Sequence, residues 1–191
     1  MIKAILLAAG QSKRLRPENK LLKIYKKKPL INFSLNSLIK SKVNKIIIVL
    51  GYQNKEVKKV IRKNKKLIFV TNKNFKKGMA SSIKIGLKKV SKKDKGFIIV
   101  QSDMPYIKIT DINKICNSVK KRKYLVHVLK FKNKVVNPVG FDISVLNKFK
   151  KIKGDVGAKF MVKRLKKKTN FIKTTNIKAF KDFDRTLDFK T

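Results

Sequence analysis

KAILLAAGQSKRLRPENKLL, residues 3–22, decides how the rest of the chain is read. Residues 3–8 are apolar after the opening lysine and read as a β-strand. The strand runs straight into Ala8, Ala9 and Gly10, a loop so poor in side chains that backbone N–H groups can approach a phosphate closely. Arg14 and Lys20 then add one forked and one mobile positive charge. A phosphate-binding loop and an ordinary basic loop both fit this pattern. Two other phosphate signatures do not fit. A P-loop needs glycine directly before a Lys-Ser/Thr pair, and the dinucleotide fingerprint needs several glycines where this stretch has Gly10 alone.

Outward from this segment, short apolar runs alternate with amphipathic ones. Residues 45–50, 67–70 and 97–101 read as further strands, rich in Ile, Val, Leu or Phe. Helices are expected at 30–41, 55–63, 81–90 and 110–121, the last capped by Thr110 or Asp111. Residues 124–131 alternate as a strand, 147–151 and 158–167 look helical, and 171–174 form a short closing strand. The expected fold is a single Rossmann-like α/β domain over residues 1–191, with a mostly parallel sheet covered by helices on both faces. With 42% apolar residues in 191, the chain can build one full core. The run Ile46 to Leu50 is far too short to span a bilayer, so no membrane partner is expected. The N-terminus lacks a small-residue cleavage site, and Cys116 is the only cysteine. Both features fit a reducing cytoplasm.

The charge balance is extreme: 52 Lys+Arg against 10 Asp+Glu, or +42. A polyanion binder would look like this. So would a chain drifting under A+T-rich codon bias, and only six of the 52 cations are Arg while Asn occurs 15 times. Mutational bias is the reading adopted, with non-specific nucleic-acid adhesion expected at low salt.

Carboxylates are scarce enough for their positions to carry information. In FIIVQSDMP, residues 97–105, Asp103 ends an apolar strand that Pro105 stops, at the edge where open α/β sheets bind ligands. A lone carboxylate facing a triphosphate can hold magnesium, although a turn or cap aspartate also fits. Glu18, Glu56, Asp94, Asp111 and Asp142 read as surface, turn or cap residues. Asp155 remains, with Asp182, Asp184 and Asp188 in KDFDRTLDF. Asp182 and Asp184 share a face if that stretch is extended, as metal contacts or as partners of surface lysines. His127, the only histidine, reads as a satisfied, half-buried strand residue, and Cys116 as helix packing. No nucleophile–base constellation is apparent, which leaves metal and positioning as the means of catalysis.

At this point LAAGQSKRLRPENKLL resembles the signature loop of the MobA-like nucleotidyltransferases, most closely the molybdenum cofactor cytidylyltransferase branch. NKNFKKGMASSIKIGL (72–87), QSDMP (101–105), NPVGF (137–141), KGDVGAKFM (153–161) and DFDRTLD (182–188) are similar to that branch's further segments, in the same order. The resemblance implies transfer of CMP from CTP to the phosphate of a molybdenum–molybdopterin cofactor, with Mg²⁺ as cofactor. It implies that the backbone of Leu7, Ala8, Ala9 and Gly10 holds the nucleotide, and that Arg14 and Lys20 neutralise the triphosphate. Asn74, Gly78 and Ser82 would contact base or ribose. Asp103 would bind magnesium with Asp184, or Asp182 in its place, and Gly154 and Asp155 would shape the acceptor pocket. Leu-Ala-Ala-Gly, rather than Leu-Ala-Gly-Gly, accompanies CTP in the family. Two departures stand out: Arg14-Leu15-Arg16-Pro17 resembles sugar-phosphate and choline-phosphate nucleotidyltransferases, and Arg185-Thr186 replaces the family's Thr-Pro. A sugar- or alcohol-phosphate nucleotidyltransferase is therefore the first alternative. A basic RNA-associated protein on an inactive transferase scaffold is the second.

Overall fold

Residue pairing in the sheet follows from where the apolar runs fall. The computed structural model describes residues 1–15 and 17–189, so Arg16 of the Arg-Leu-Arg-Pro string lies outside the described residues. The strands are β1 (Ile2–Ala8), β2 (Ile24–Tyr25), β3 (Lys28–Pro29), β4 (Lys45–Leu50), β5 (Leu67–Thr71), β6 (Gly96–Gln101), β7 (Val126–Phe131), β8 (Lys134–Asp142) and β9 (Thr169–Lys173). The helices are α1 (Ile31–Lys40), α2 (Asn54–Lys59), α3 (Met79–Leu87), α4 (Ile109–Lys121) and α5 (Lys159–Arg164), with short 3₁₀ turns between them. Seven strands form one sheet in the order β5-β4-β1-β6-β8-β7-β9, while β2 and β3 pair as a separate small ribbon. Only β8 runs against its neighbours β6 and β7, so the main sheet is mostly parallel, as expected.

The pleat of β1 divides the core. Ala4, Leu6 and Ala8 enter one apolar cluster with Leu35 and Leu38 of α1 and Ile112 and Ile115 of α4. Ile5, and Ala9 just past the strand, enter a second with Ala80 and Ile83 of α3 and Met161 of α5. Helices therefore cover both faces, and the strands buried between them are continuous apolar runs rather than alternating ones.

Several local expectations need correction. Residues 137–141 lie in β8, a strand hidden in the sequence by Pro138 and Gly140. Val128 pairs with Val139 and Leu129 with Val136, so Asn137 and Pro138 fall in a bulge, where proline costs no ladder hydrogen bond. Neither Thr110 nor Asp111 occupies the α4 N-cap. Lys108 does, and its N–H donates to the Asp111 carboxylate at 3.2 Å. Of the acids read as surface, turn or cap residues, Asp94 holds a turn, although buried: it accepts the Ser91 N–H at 2.8 Å and pairs with Lys3 at 2.9 Å. Asp142 caps the 3₁₀ turn Ile143–Lys151 through the Ser144 N–H and pairs with Arg122.

His127 is fully buried and only half satisfied. Asn170 donates to the Ser118 hydroxyl at 2.7 Å, and that hydroxyl shares a hydrogen bond of 2.7 Å with His127 Nδ1. His127 Nε2 has no partner among the described residues. Burial lowers its pKa from 6.5 to about 4. The unfolded chain thus takes up a proton near pH 6.5 that the folded chain refuses until about pH 4. Stability from this group is complete above pH 6.5 and declines as the pH falls towards 4, by on the order of 3 kcal/mol. Urea unfolding across that window should register the decline, and His127→Phe should flatten it. An unchanged slope in the variant would contradict the assignment.

Candidate active site

The loop after β1 is held by its own polar residues. Ser12 accepts the Lys20 N–H at 3.0 Å, and buried Asn19 accepts the Leu21 N–H at 3.0 Å while donating to the Tyr52 carbonyl at 3.3 Å. This turns the 12–20 segment back over the sheet edge and aims Lys20 inwards. From β6, Ser102 donates to the Leu7 carbonyl at 2.6 Å, fixing the next residue, Asp103, beside the β1 loop. From the other end of the chain, Phe183 donates its N–H to the Asp103 carbonyl at 3.0 Å and buries its ring completely. Three segments far apart in sequence meet here.

Their charges interlock. The Lys20 ammonium lies 2.6 Å from Asp103 Oδ2 and 2.7 Å from Asp184 Oδ1. Arg14 Nη1 takes the other Asp184 oxygen at 2.7 Å. Burial opposes the charge on Lys20, but Asp103 and then Asp184 outweigh it and raise its pKa above 10.5, so the ammonium persists at neutral pH. Burial raises the Asp103 carboxyl above its usual range, and nearby Asp182 adds to this against the pull of Lys20. Asp184 goes the other way: burial is outweighed by Lys20 and Arg14, and its carboxyl falls below the usual range.

These groups line a cavity of about 730 Å³, bounded also by Leu7, Ala9, Gly10, Gly78, Ser82, Gly154 and Asp155. Four of the chain's eight aspartates (103, 155, 182 and 184) line it. Such concentration in a chain of net +42 sets this cleft apart from a solubilised surface. Two expected residues lie elsewhere. The Ala8 side chain is buried in the core cluster beneath α1 and α4, and Asn74 is exposed beside the cavity, where its carbonyl accepts from Ser81 at 3.1 Å.

The polar organiser of that wall is Asn72, which sequence reasoning passed over. It is buried and donates to Ser81 at 2.8 Å and Ser82 at 3.0 Å. Gln101 was also missed; it lines the cavity and accepts from Asn137 at 2.7 Å. An uncharged amide at a strand end carries no signal that distinguishes it from a turn residue. The far wall is an interlock. Gly78 has φ +90°, and a Cβ there would lie 2.5 Å from the Gly154 backbone. The Ala80 N–H reaches the Gly154 carbonyl at 3.1 Å, and the Met79 N–H reaches Asp155 at 3.2 Å.

The site suits a divalent cation that arrives with phosphates. Asp103 Oδ1 is buried and has no hydrogen-bond partner, and Asp182 has no ion pair among the described residues. No ready-made group of three or more His, Cys, Asp or Glu exists among the described residues. Magnesium asks for less, since it takes one or two carboxylates and completes its shell with water and substrate oxygens.

The family model of the MobA-like NTP transferase domain matches residues 4–169. The chain belongs to that family. In fold it is similar to Rv0371c from Mycobacterium tuberculosis H37Rv, with 20% identity and TM-score 0.83 over 98% of this chain and 94% of that one. A complex of Rv0371c with manganese matches at TM-score 0.75 and 18% identity, over 91% and 88% of the two chains. A nucleotidyl transferase from Methanothermobacter thermautotroptrophicus matches at TM-score 0.83 and 16% identity, over 99% and 94%. The 4-diphosphocytidyl-2C-methyl-D-erythritol synthase of Anaerococcus prevotii matches at 0.76 and 15%, over 98% and 92%. The expected family and fold are borne out. No helix among the described residues is long and apolar enough to cross a membrane.

The charge cluster makes a specific prediction about stability. Lys20→Met leaves three carboxylates facing one another with only Arg14 to balance them, and should destabilise by about 3 kcal/mol. Adding Asp103→Asn should recover much of that loss, as measured by urea unfolding of both singles and the double. Strict additivity of the two changes would contradict the network.

Proposed function

We propose that this nucleotidyltransferase moves CMP from CTP to the terminal phosphate of a molybdenum–molybdopterin cofactor, releasing pyrophosphate and depending on Mg²⁺. The observation that carries the reading is Lys20 bracketed by Asp103 and Asp184 in the lining of the cavity, a cation and two carboxylates brought together beside the β1 loop. Gly10 supports it. Neither a left-handed backbone nor packing demands glycine there, since a Cβ would meet nothing within 4 Å. The open space above that residue is where a phosphate would approach the backbone.

Asp103, with Asp184 or Asp182, would hold the magnesium. That ion supplies charge neutralisation on the phosphate oxygens and holds them in place. The remaining work falls to the chain. The backbone of Leu7 to Gly10, together with Gly78 and Ser82, seats the nucleotide, and Asn74 stands beside that wall. Ser82 accepts from Asn72, which leaves its own proton free to donate to a ribose or base oxygen. Lys20 and Arg14 exchange carboxylate partners for phosphate oxygens and stabilise the charge that develops on the departing pyrophosphate. The acceptor phosphate, seated against Gly154 and Asp155, attacks the α-phosphorus in line; its P–O bond forms as the bond to the β-phosphate breaks. No covalent enzyme intermediate is needed. The Arg14-Leu15-Arg16-Pro17 string favours one second reading, a sugar- or alcohol-phosphate acceptor.

A panel of CTP, GTP, ATP, UTP and dTTP, each with both acceptor types and pyrophosphate release as readout, tests the reading. CTP should be preferred over GTP by roughly tenfold to a hundredfold, the range expected when a wrong base leaves a buried polar group unpaired. Ala9→Gly should narrow the gap, and Asp103→Ala should abolish turnover with the fold intact. Equal use of CTP and GTP would sink the cytidine assignment. A preference for UTP or dTTP would transfer the enzyme to the sugar-phosphate reading.

A further inference from the structure

Residues 181–189 lie beyond the segment matched by the family model, yet they bring Asp182 and Asp184 to the cavity. Two anchors hold this strap. Phe183 is completely buried, with its ring 4.8 Å from Tyr25, 5.8 Å from Tyr106 and 5.2 Å from Phe189. Together with the Phe183 N–H on the Asp103 carbonyl at 3.0 Å, that anchor sets the depth of the strap. The second anchor acts on the next residue. Asp188 folds back over the 3₁₀ turn Thr186–Phe189, and its Oδ2 accepts the Asp184 N–H at 2.9 Å and the Arg185 N–H at 2.8 Å. Its other oxygen lies 3.5 Å from Lys181 Nζ. With its backbone held on both sides, Asp184 points one oxygen at Lys20 and the other at Arg14.

We propose that Asp188 is a positioning residue: by accepting two successive backbone N–H groups it sets the Asp184 carboxylate between Lys20 and Arg14. It does not line the cavity, and the lining residue it bonds is Asp184, so its effect on the reaction passes through Asp184. This rests on the nucleotidyl-transfer reading for its kinetic consequence and on the hydrogen bonds alone for its structural one. What matters is an oxygen that accepts, not the negative charge. Asparagine offers such an oxygen, whereas alanine does not.

The test compares Asp188→Ala with Asp188→Asn in the full chain by two measurements. Amide hydrogen exchange at Asp184 and Arg185 should quicken in the alanine variant and stay near that of the unmodified chain in the asparagine variant. Turnover at saturating CTP should fall by about tenfold in the alanine variant, as displacement of a site group by a fraction of an ångström would give. The Mg²⁺ concentration for half-maximal rate should rise with it, a change that loss of global stability alone would not produce. The asparagine variant should keep most of both. Equal losses in the two variants would overturn the proposal in favour of a charge effect. Normal turnover with rapid exchange in the alanine variant would overturn it as well. If the unmodified chain turns over no nucleotide, the transfer reading fails, while the exchange measurement still decides whether Asp188 holds the turn.

Discussion

A single ammonium group holds the functional end of this molecule together. Lys20 reaches Asp103 and Asp184 at 2.6 and 2.7 Å, and each partner belongs to a different part of the chain. The contact requires the β1 loop to fold back, β6 to end in step with β1, and the C-terminal strap to dock through Phe183. Its energetics are those of a partly buried ion pair. Desolvation works against both members, and the gain depends on neither being left alone. The cavity is lined by Asp103, Asp155, Asp182 and Asp184 and by Arg14, Lys20, Lys76 and Lys77, so it offers charges of both signs. A divalent cation with its triphosphate matches both signs, the ion meeting carboxylates and the phosphates meeting ammonium and guanidinium groups.

The fold was legible because its parallel strands are buried on both faces and so appear as short continuous apolar runs. Residues 45–50 and 97–101 needed no further signal. β8 was not legible as a strand, since Pro138 and Gly140 break its pattern and only the bulge opposite β7 accommodates them. Helix limits moved by a few residues where capping came from outside the segment, as when Asp155, far off in sequence, receives the N–H of Met79 at the α3 N-terminus.

The site was legible to the extent that it is acidic. Eight aspartates in 191 residues made each position worth a question, and Asp103, Asp155, Asp182 and Asp184 do lie around one cavity. That Arg14 and Lys20 share one of these carboxylates could not be read, because residues 14 and 184 are joined only by the tertiary fold. Buried amides such as Asn19 and Asn72 were invisible for a different reason: asparagine is abundant here, so its presence at a loop says nothing. The lysine excess was equally uninformative. Among the described residues, ion pairs engage six lysine and arginine side chains, at Lys3, Arg14, Lys20, Lys23, Arg122 and Lys181. The acids are largely consumed in structure, and the remaining cations repel one another across the surface.

Binding of Mn²⁺ as a reporter for Mg²⁺, followed by electron paramagnetic resonance with and without CTP, tests the central claim most directly. Asp103 offers one partnerless oxygen and the site lacks a preformed ligand cage among the described residues, so Mn²⁺ should bind weakly alone. It should bind at least tenfold more tightly with CTP present, as expected when substrate oxygens complete the shell. Asp103→Asn should remove that gain. Tight binding of Mn²⁺ without nucleotide, or a gain from CTP that survives Asp103→Asn, would contradict the account.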